Sequence, residues 1–338
     1  MLFPFSLFLF YLLALNMKLL KKILNKLNGL HYPQEYLCLT KESFEQPLHV
    51  YLADEKRIIK NITNVHLFTG YSPLIFTLHS SAGLELPADI NIIFSQRSLH
   101  PNEFFKRKDA IAQLNLKLVK RQMAGENIFY YEGIKGEHHF LSSFNQHIIG
   151  LNNRLYNKKP GNVFLNNNLY KQVQIAYSIP RVISLITVSD GKLFNLFPTD
   201  LHGAVNDQYY VSSLRHEGRA CKQVEAAKRI IISDMKSAEY KNVYALGKNH
   251  VQPLKPKDHF PFSPTLSKVF QLPLPESTLS HCELEVTESF IHGIHRIFLY
   301  KTISHQLVAD EPATLAHIHN TYATWRHNKR LAGNYLLR

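Results

Sequence analysis

The sequence predicts a mainly β fold with some helix (α+β), and three observations carry that prediction. Short runs of apolar or alternating residues recur along both halves, and glycine or proline punctuates them. Helical spacing of apolar residues is confined to a few segments. At 338 residues the chain is long for one domain and suits two, and its 45% hydrophobic and 19% charged residues provide for a packed core rather than disorder.

Residues Leu2 to Leu15 are almost wholly apolar, too short a run to span a bilayer comfortably. No basic residue precedes them and no small-residue cleavage site follows, which argues against a signal peptide. Either Met17 is the true start, or the stretch is a short anchor backed by Lys18, Lys21 and Lys22. Met17 to Leu27 then reads as an amphipathic helix with Leu20, Ile23, Leu24 and Leu27 on one face. Strands follow at His49–Leu52, Val65–Thr69, Leu74–Leu78 and Ile90–Phe94. A helix is expected over Pro101–Gln122, with strands at Asn127–Tyr131 and His138–Phe144. The polar, turn-rich run Asn152–Gly161 suggests a domain boundary.

Beyond it, strands are expected at Val173–Tyr177, Val182–Val188, Gln208–Leu214 and Ile230–Ser233, with a helix over Glu217–Arg229. Pro253 to Pro275 holds six prolines and should be an ordered loop or lid. Cys282–Glu288 and Ile294–Tyr300 form a hairpin-like pair around Gly293, and Thr314–Lys329 is a closing helix or irregular tail. The expected division is an extension (1–16), an α+β accessory domain (17–155), a second domain (165–310) and a tail (311–338). The strand-rich first half also allows a diverged copy of the second.

Lysine and arginine total 39 against 26 acids, a net charge of +13 that favours anionic partners such as nucleotides, phosphates, nucleic acid or acidic lipid. Cys38, Cys221 and Cys282 are odd in number and far apart, with no CxxC. That pattern speaks against a disulfide framework and for a reducing, cytoplasmic location. His317-Ile318-His319, His138-His139 and His292 are close imidazoles among 19, but three or four convergent metal ligands cannot be assembled from them. No phosphate-binding P-loop, dinucleotide fingerprint or nucleophile elbow occurs.

One region points to a particular chemistry. Val182 to Val188 is an apolar strand, followed by the Ser189-Asp190-Gly191-Lys192 turn and the tight segment Asn195-Leu196-Phe197-Pro198-Thr199-Asp200. A second strand ends Ser212-Ser213-Leu214-Arg215 and runs into His216-Glu217-Gly218-Arg219. Glu283-Leu284-Glu285 and Gly293-Ile294-His295 come later. In this order the segment resembles the flavin reductase-like family of FMN-binding split barrels, over roughly Gln172 to Leu307. The family's proline pair before its next strand is replaced here by His202 to Asp207, and the aspartate of its late Gly-Asp-His by Ile294.

The resemblance implies a six-stranded antiparallel Greek-key split barrel in the second half, usually homodimeric; the first half, which the resemblance does not cover, reads from its own pattern as an α+β accessory domain or a degenerate second barrel. It implies an FMN-binding flavoprotein, an NAD(P)H-dependent flavin reductase-type oxidoreductase that hands reduced flavin to a partner oxygenase. Asn195, Phe197, Pro198, Thr199, Asp200, Ser212 and Ser213 would contact the flavin. Arg215, Arg219 and Lys222 would hold its phosphate, and His295 would line the active face as the catalytic residue. No metal is implied. Two other classes remain open: a flavin-binding protein without reductase turnover, and a basic protein binding nucleic acid or a lipid surface. Against nucleic acid, the aromatics lie scattered through strands rather than interleaved with basic residues.

Overall fold

A computed structural model describes residues 23–54, 57–80, 85–106, 108–156, 163–165, 167–310 and 313–336. The apolar extension and most of the Met17–Leu27 helix lie outside the described residues. Its described end, α1 (residues 23–27), is helical, and Ile23, Leu24 and Leu27 are exposed.

After the short strand β1 (Tyr36–Thr40), the chain builds a seven-stranded sheet. Its members are β2 (His49–Asp54), β3 (Arg57–Asn61), β4 (His66–Tyr71), β5 (Leu74–Ser80), β6 (Asp89–Ser95), β7 (Ala110–Ala124) and β8 (Glu126–His138). Two helices, α2 (Ser143–Tyr156) and α3 (Asn167–Ala176), and the short β9 (Arg181–Val182) lead to a second seven-stranded sheet. That sheet contains β10 (Ser184–Ser189), β11 (Phe194–Thr199), β12 (His202–Ala204), β13 (Tyr209–Arg215) and β14 (Arg229–Met235), with α4 (Arg219–Ala227) between the last two. A helical stretch follows, α5 (Tyr240–Ala245) and a 3-10 turn over Leu246–Val251, then the strand pair β15 (Phe262–Leu266) and β16 (Pro273–Pro275). The long hairpin β17 (Thr278–His292) and β18 (His295–Leu307) completes the second sheet. β19 (Leu315–His319), α6 (Asn320–Asn328) and β20 (Tyr335–Leu336) close the chain.

The order of the first sheet is β3-β2-β6-β7-β8-β5-β4, and that of the second is β11-β10-β14-β17-β18-β13-β12. Counted by position within each sheet, both read second, first, fifth, sixth, seventh, fourth, third. All neighbouring pairs are antiparallel. The second half thus carries seven paired strands where six were expected, because the short β12 adds an edge to β13.

Each sheet buries one face in its own core. Phe76, Leu114, Phe129 and Val173 belong to the first core, and Ile186, Val224, Phe298 and Tyr300 to the second. A third cluster joins the sheets, with Ile75, Ile128 and Tyr130 meeting Val211, Ile297 and Leu299. Burying a side chain of this size fully is worth roughly 1.5–3 kcal/mol, so the halves form one packed body. The terminal segment packs into the first core through Ala316, Ile318, Tyr322 and Trp325.

Several elements differ from the sequence expectation. The Pro101–Gln122 helix is the strand β7: Leu114 and Leu116 are buried while Asn115 and Lys117 are exposed, the period of two that defines a half-buried strand. Val173–Tyr177 lies mostly in α3, where Tyr170, Val173 and Ala176 are buried at helical spacing. His138–Phe144 is the end of β8 and the start of α2. The Asn195–Asp200 turn is mostly the strand β11, paired residue for residue with β10. Residues 152–156 of the expected boundary are helical, and its remainder lies outside the described residues apart from the flanking segment. Thr314–Lys329 is a strand and then a helix. The proline-rich segment is an ordered loop that also contains the β15–β16 pair.

Candidate functional site

The second sheet places β11, β13 and the start of β18 around one cleft of about 380 Å³. Pro198 and Thr199 enter from the end of β11, Ser213 and Arg215 from β13, and His295 from β18. Gly218, Ala220 and Cys221 bring the start of α4 to the same cleft. Gly218 caps that helix without any side-chain hydrogen bond. The first-turn N–H groups of a helix have no acceptor within it, so they and the helix dipole present positive potential here. Inside, Ala220, Cys221 and Val224 anchor α4 on the second core.

Tyr71 reaches the cleft from the first sheet. Its backbone N–H donates to His295 Nε2 at 3.3 Å, and its ring stands edge-on to the imidazole at 4.6 Å. Its hydroxyl accepts from Arg215 Nε at 2.7 Å, and the guanidinium lies 5.8 Å from the ring centre. His295 is buried, and burial with the nearby Arg215 guanidinium pushes its pKa down to about 4. The ring is therefore neutral at pH 7. Because Nε2 accepts the Tyr71 N–H, the ring proton sits on Nδ1, 3.4 Å from Ser213 Oγ.

Asp200 lies behind Thr199. Its Oδ2 accepts from the Tyr177 hydroxyl at 2.5 Å and from His317 Nε2 at 2.8 Å, with Arg181 Nε at 3.7 Å. Burial opposes its ionisation, but His317, Arg181 and Tyr177 together hold the carboxyl well below the usual carboxylate range. Arg181 also donates to the Asp200 and Phe68 carbonyls, tying the junction to β4. His250 covers the cleft from the 3-10 turn, donating Nε2–H to the Pro198 carbonyl at 2.8 Å. Burial lowers its pKa.

Of the residues expected from sequence, Pro198, Thr199, Asp200, Ser213, Arg215 and His295 line this cleft. Asn195 does not: it is fully buried, and its amide donates to Gln223 Oε1 at 2.7 Å and the Asn249 carbonyl at 3.0 Å. Phe197 is a core residue, and Ser212 is buried with its hydroxyl 2.8 Å from that of Tyr300. Arg219 and Lys222 are exposed on α4 and do not line the cleft. Tyr71, Gly247, His250 and Val251 line it without having been expected. Nothing local in the sequence marks Tyr71, which stands 224 positions from His295.

A larger cleft of about 770 Å³ opens between the halves and shares Asp200. Among its lining residues, Asp234 already accepts the hydroxyls of Ser184 and Ser280 at 2.6 and 3.0 Å. Of these two clefts the smaller is the better candidate despite its size, because it joins an uncapped helix start, an arginine and a histidine. Among the described residues no group of three or more His, Cys, Asp or Glu side chains could hold a metal ion. Nor is any helix among them long and apolar enough to cross a membrane.

No protein-family model and no curated protein sequence matches the chain. Among solved structures, the chain is similar to an FMN-binding protein from Thermus thermophilus, at 18% identity and a TM-score of 0.36, over 40% of this chain and 81% of that one. An NADH:FAD oxidoreductase of Streptomyces globisporus matches at 14% identity and 0.39, over 48% and 96% of the two chains. The flavin reductase component of a bacterial two-component tryptophan halogenase matches at 13% and 0.38, over 44% and 91%.

Proposed function

We propose that this chain binds FMN in the β11–β13–α4 cleft and acts as an NAD(P)H-dependent flavin reductase-type oxidoreductase that supplies reduced flavin to an oxygenase. The observation that carries this reading is the convergence of the uncapped α4 start and Arg215 with Pro198, Thr199 and His295. A phosphate suits the first pair, since backbone N–H groups and a guanidinium both donate to its oxygens. A planar ring suits the second group, where Pro198 and Thr199 offer a strand end and Tyr71 an aromatic wall.

When bound, the flavin supplies hydride acceptance and delivery. The chain's own residues bind and orient. Arg215, held by the Tyr71 hydroxyl, fixes one end, and Thr199 offers a hydroxyl and an N–H. His295 keeps its Nδ1 proton toward Ser213 and stays uncharged. Leu214 and Ala220 give the cleft a buried apolar wall.

A second reading, flavin binding without turnover, is favoured by one observation. The lone pair of His295 Nε2 is taken by a backbone N–H, so this ring is neither a free base nor a ready acid at neutral pH. An absorbance titration of the pure protein with FMN, followed by NADH and NADPH oxidation, separates the two readings. Arg215→Ala should weaken FMN binding about tenfold or more, the loss expected for a charged hydrogen bond. Unchanged affinity refutes the phosphate assignment.

A further inference from the structure

We propose that this chain is a covalent pseudo-dimer: the first sheet stands where a second copy would stand against the second sheet, and it completes the cleft through Tyr71. Three observations carry this. The two seven-stranded sheets have the same strand order. The faces that meet are equivalent ones, β5 and β8 through Ile75, Ile128 and Tyr130 against β13 and β18 through Val211, Ile297 and Leu299. The contacts are reciprocal, as in a two-fold assembly.

The reciprocity is visible at the hairpin tips. In the second unit the tip at Gly293 rests on the β4–β5 turn, with the Ile294 N–H donating to the Ser72 carbonyl at 3.0 Å. In the first unit the tip at Gly125 rests against Tyr209 at the β12–β13 turn, where an added Cβ would sit 3.9 Å from the ring. The third strands of the two sheets also touch each other. Gly203 of β12 lies against the Leu67 side chain of β4.

The chemistry is not duplicated. The strand that leaves the hairpin tip starts with His295 in the second unit and with Glu126 in the first. The second unit places the nine-residue α4 between its fourth and fifth strands, whereas the described residues 85–88 between β5 and β6 are not helical. Among the described residues the complete cleft is that of the second unit, and the first unit serves it. Tyr71 is a positioning residue: its N–H sets the His295 tautomer and its hydroxyl orients Arg215.

The choice of FMN as probe rests on the function proposed above; the pseudo-dimer does not. Sedimentation equilibrium of the full chain across the micromolar range should give a constant mass of 39.1 kDa. FMN titration should saturate at one flavin per chain. Tyr71→Ala should weaken FMN about tenfold while leaving the mass in place, and Tyr71→Phe should fall between it and the native protein. A dimeric mass, binding lost on dilution, or two flavins per chain would overturn the proposal. Unaltered affinity in Tyr71→Ala would overturn the positioning role. If the native chain binds no FMN, the flavin reading fails, and the sedimentation mass alone decides the pseudo-dimer.

Discussion

Replacing Asp200 with asparagine removes the negative charge from a junction that binds both halves of the molecule. The carboxylate accepts from Tyr177 at 2.5 Å and His317 at 2.8 Å, with the Arg181 guanidinium at 3.7 Å. Arg181 retains only 7% of its side-chain exposure, so water cannot take over its solvation. Breaking a buried pair by removing one partner costs roughly 3–5 kcal/mol. The low end applies, about 3 kcal/mol, because Arg181 keeps the Phe68 and Asp200 carbonyls as acceptors. Tyr177 and His317 both donate to Oδ2, so an amide oxygen in that place can still accept from both, and what is lost is the charge facing Arg181. Urea unfolding at pH 7 measures the loss, with the single tryptophan, Trp325, as the reporter in the first core. Arg181→Met combined with Asp200→Asn should cost at least about 1 kcal/mol less than the sum of the single changes. A loss for Asp200→Asn below about 0.5 kcal/mol, the range of ordinary surface changes, would refute the reasoning. The effect should be the same at pH 6 and pH 8. Asp200 has a lowered folded pKa, so its contribution is present above the unfolded carboxylate range and is lost only as pH falls through the folded value.

Acid should destabilise the protein before that carboxylate titrates. Burial pushes His66 and His295 down to about 4 and His138 to about 3. These neutral rings contribute fully above the unfolded histidine value of about 6.5, and the contribution fades as pH falls from there toward 4. Urea midpoints should therefore drop over that window by the equivalent of several kcal/mol in total, and a flat profile would contradict their neutral burial. Gly293→Val should cost at least about 2 kcal/mol, because φ there is +56° and a Cβ would lie 2.2 Å from Pro73 Cδ and 2.3 Å from the Ser72 carbonyl. An unshifted unfolding midpoint would show that the hairpin tip does not press on that turn.

The site was only partly legible in sequence. Pro198, Thr199, Ser213, Arg215 and His295 were read from local runs, and all reach one cleft. Asn195 and Ser212 sit on the same two strands, yet their side chains are used inside the fold by Gln223, Asn249 and Tyr300. Alternation says that neighbours on a strand face opposite ways; it does not say which way opens onto a cleft. Arg219 and Lys222 were read as cations of the same rim, but only the start of α4 faces the cleft, and these side chains point into solvent. β7 and α3 exchanged helix and strand for a related reason. Short apolar segments fit both periods until burial chooses one.

The sequence by itself determined most strands of both halves, the hairpin at Gly293 and the helix that follows β13. Each is written in contiguous residues: alternation, a turn that tolerates positive φ, a helical run after glycine. The tertiary structure alone decided that the two halves share one strand order and meet through equivalent faces. It also decided that Tyr71 fixes His295 and that Asp200 joins Tyr177, Arg181 and His317. The physical reason is range. A pattern in the chain reports how much a residue wants to be buried, while its partner is chosen by the packing of sheets whose strands lie hundreds of residues apart.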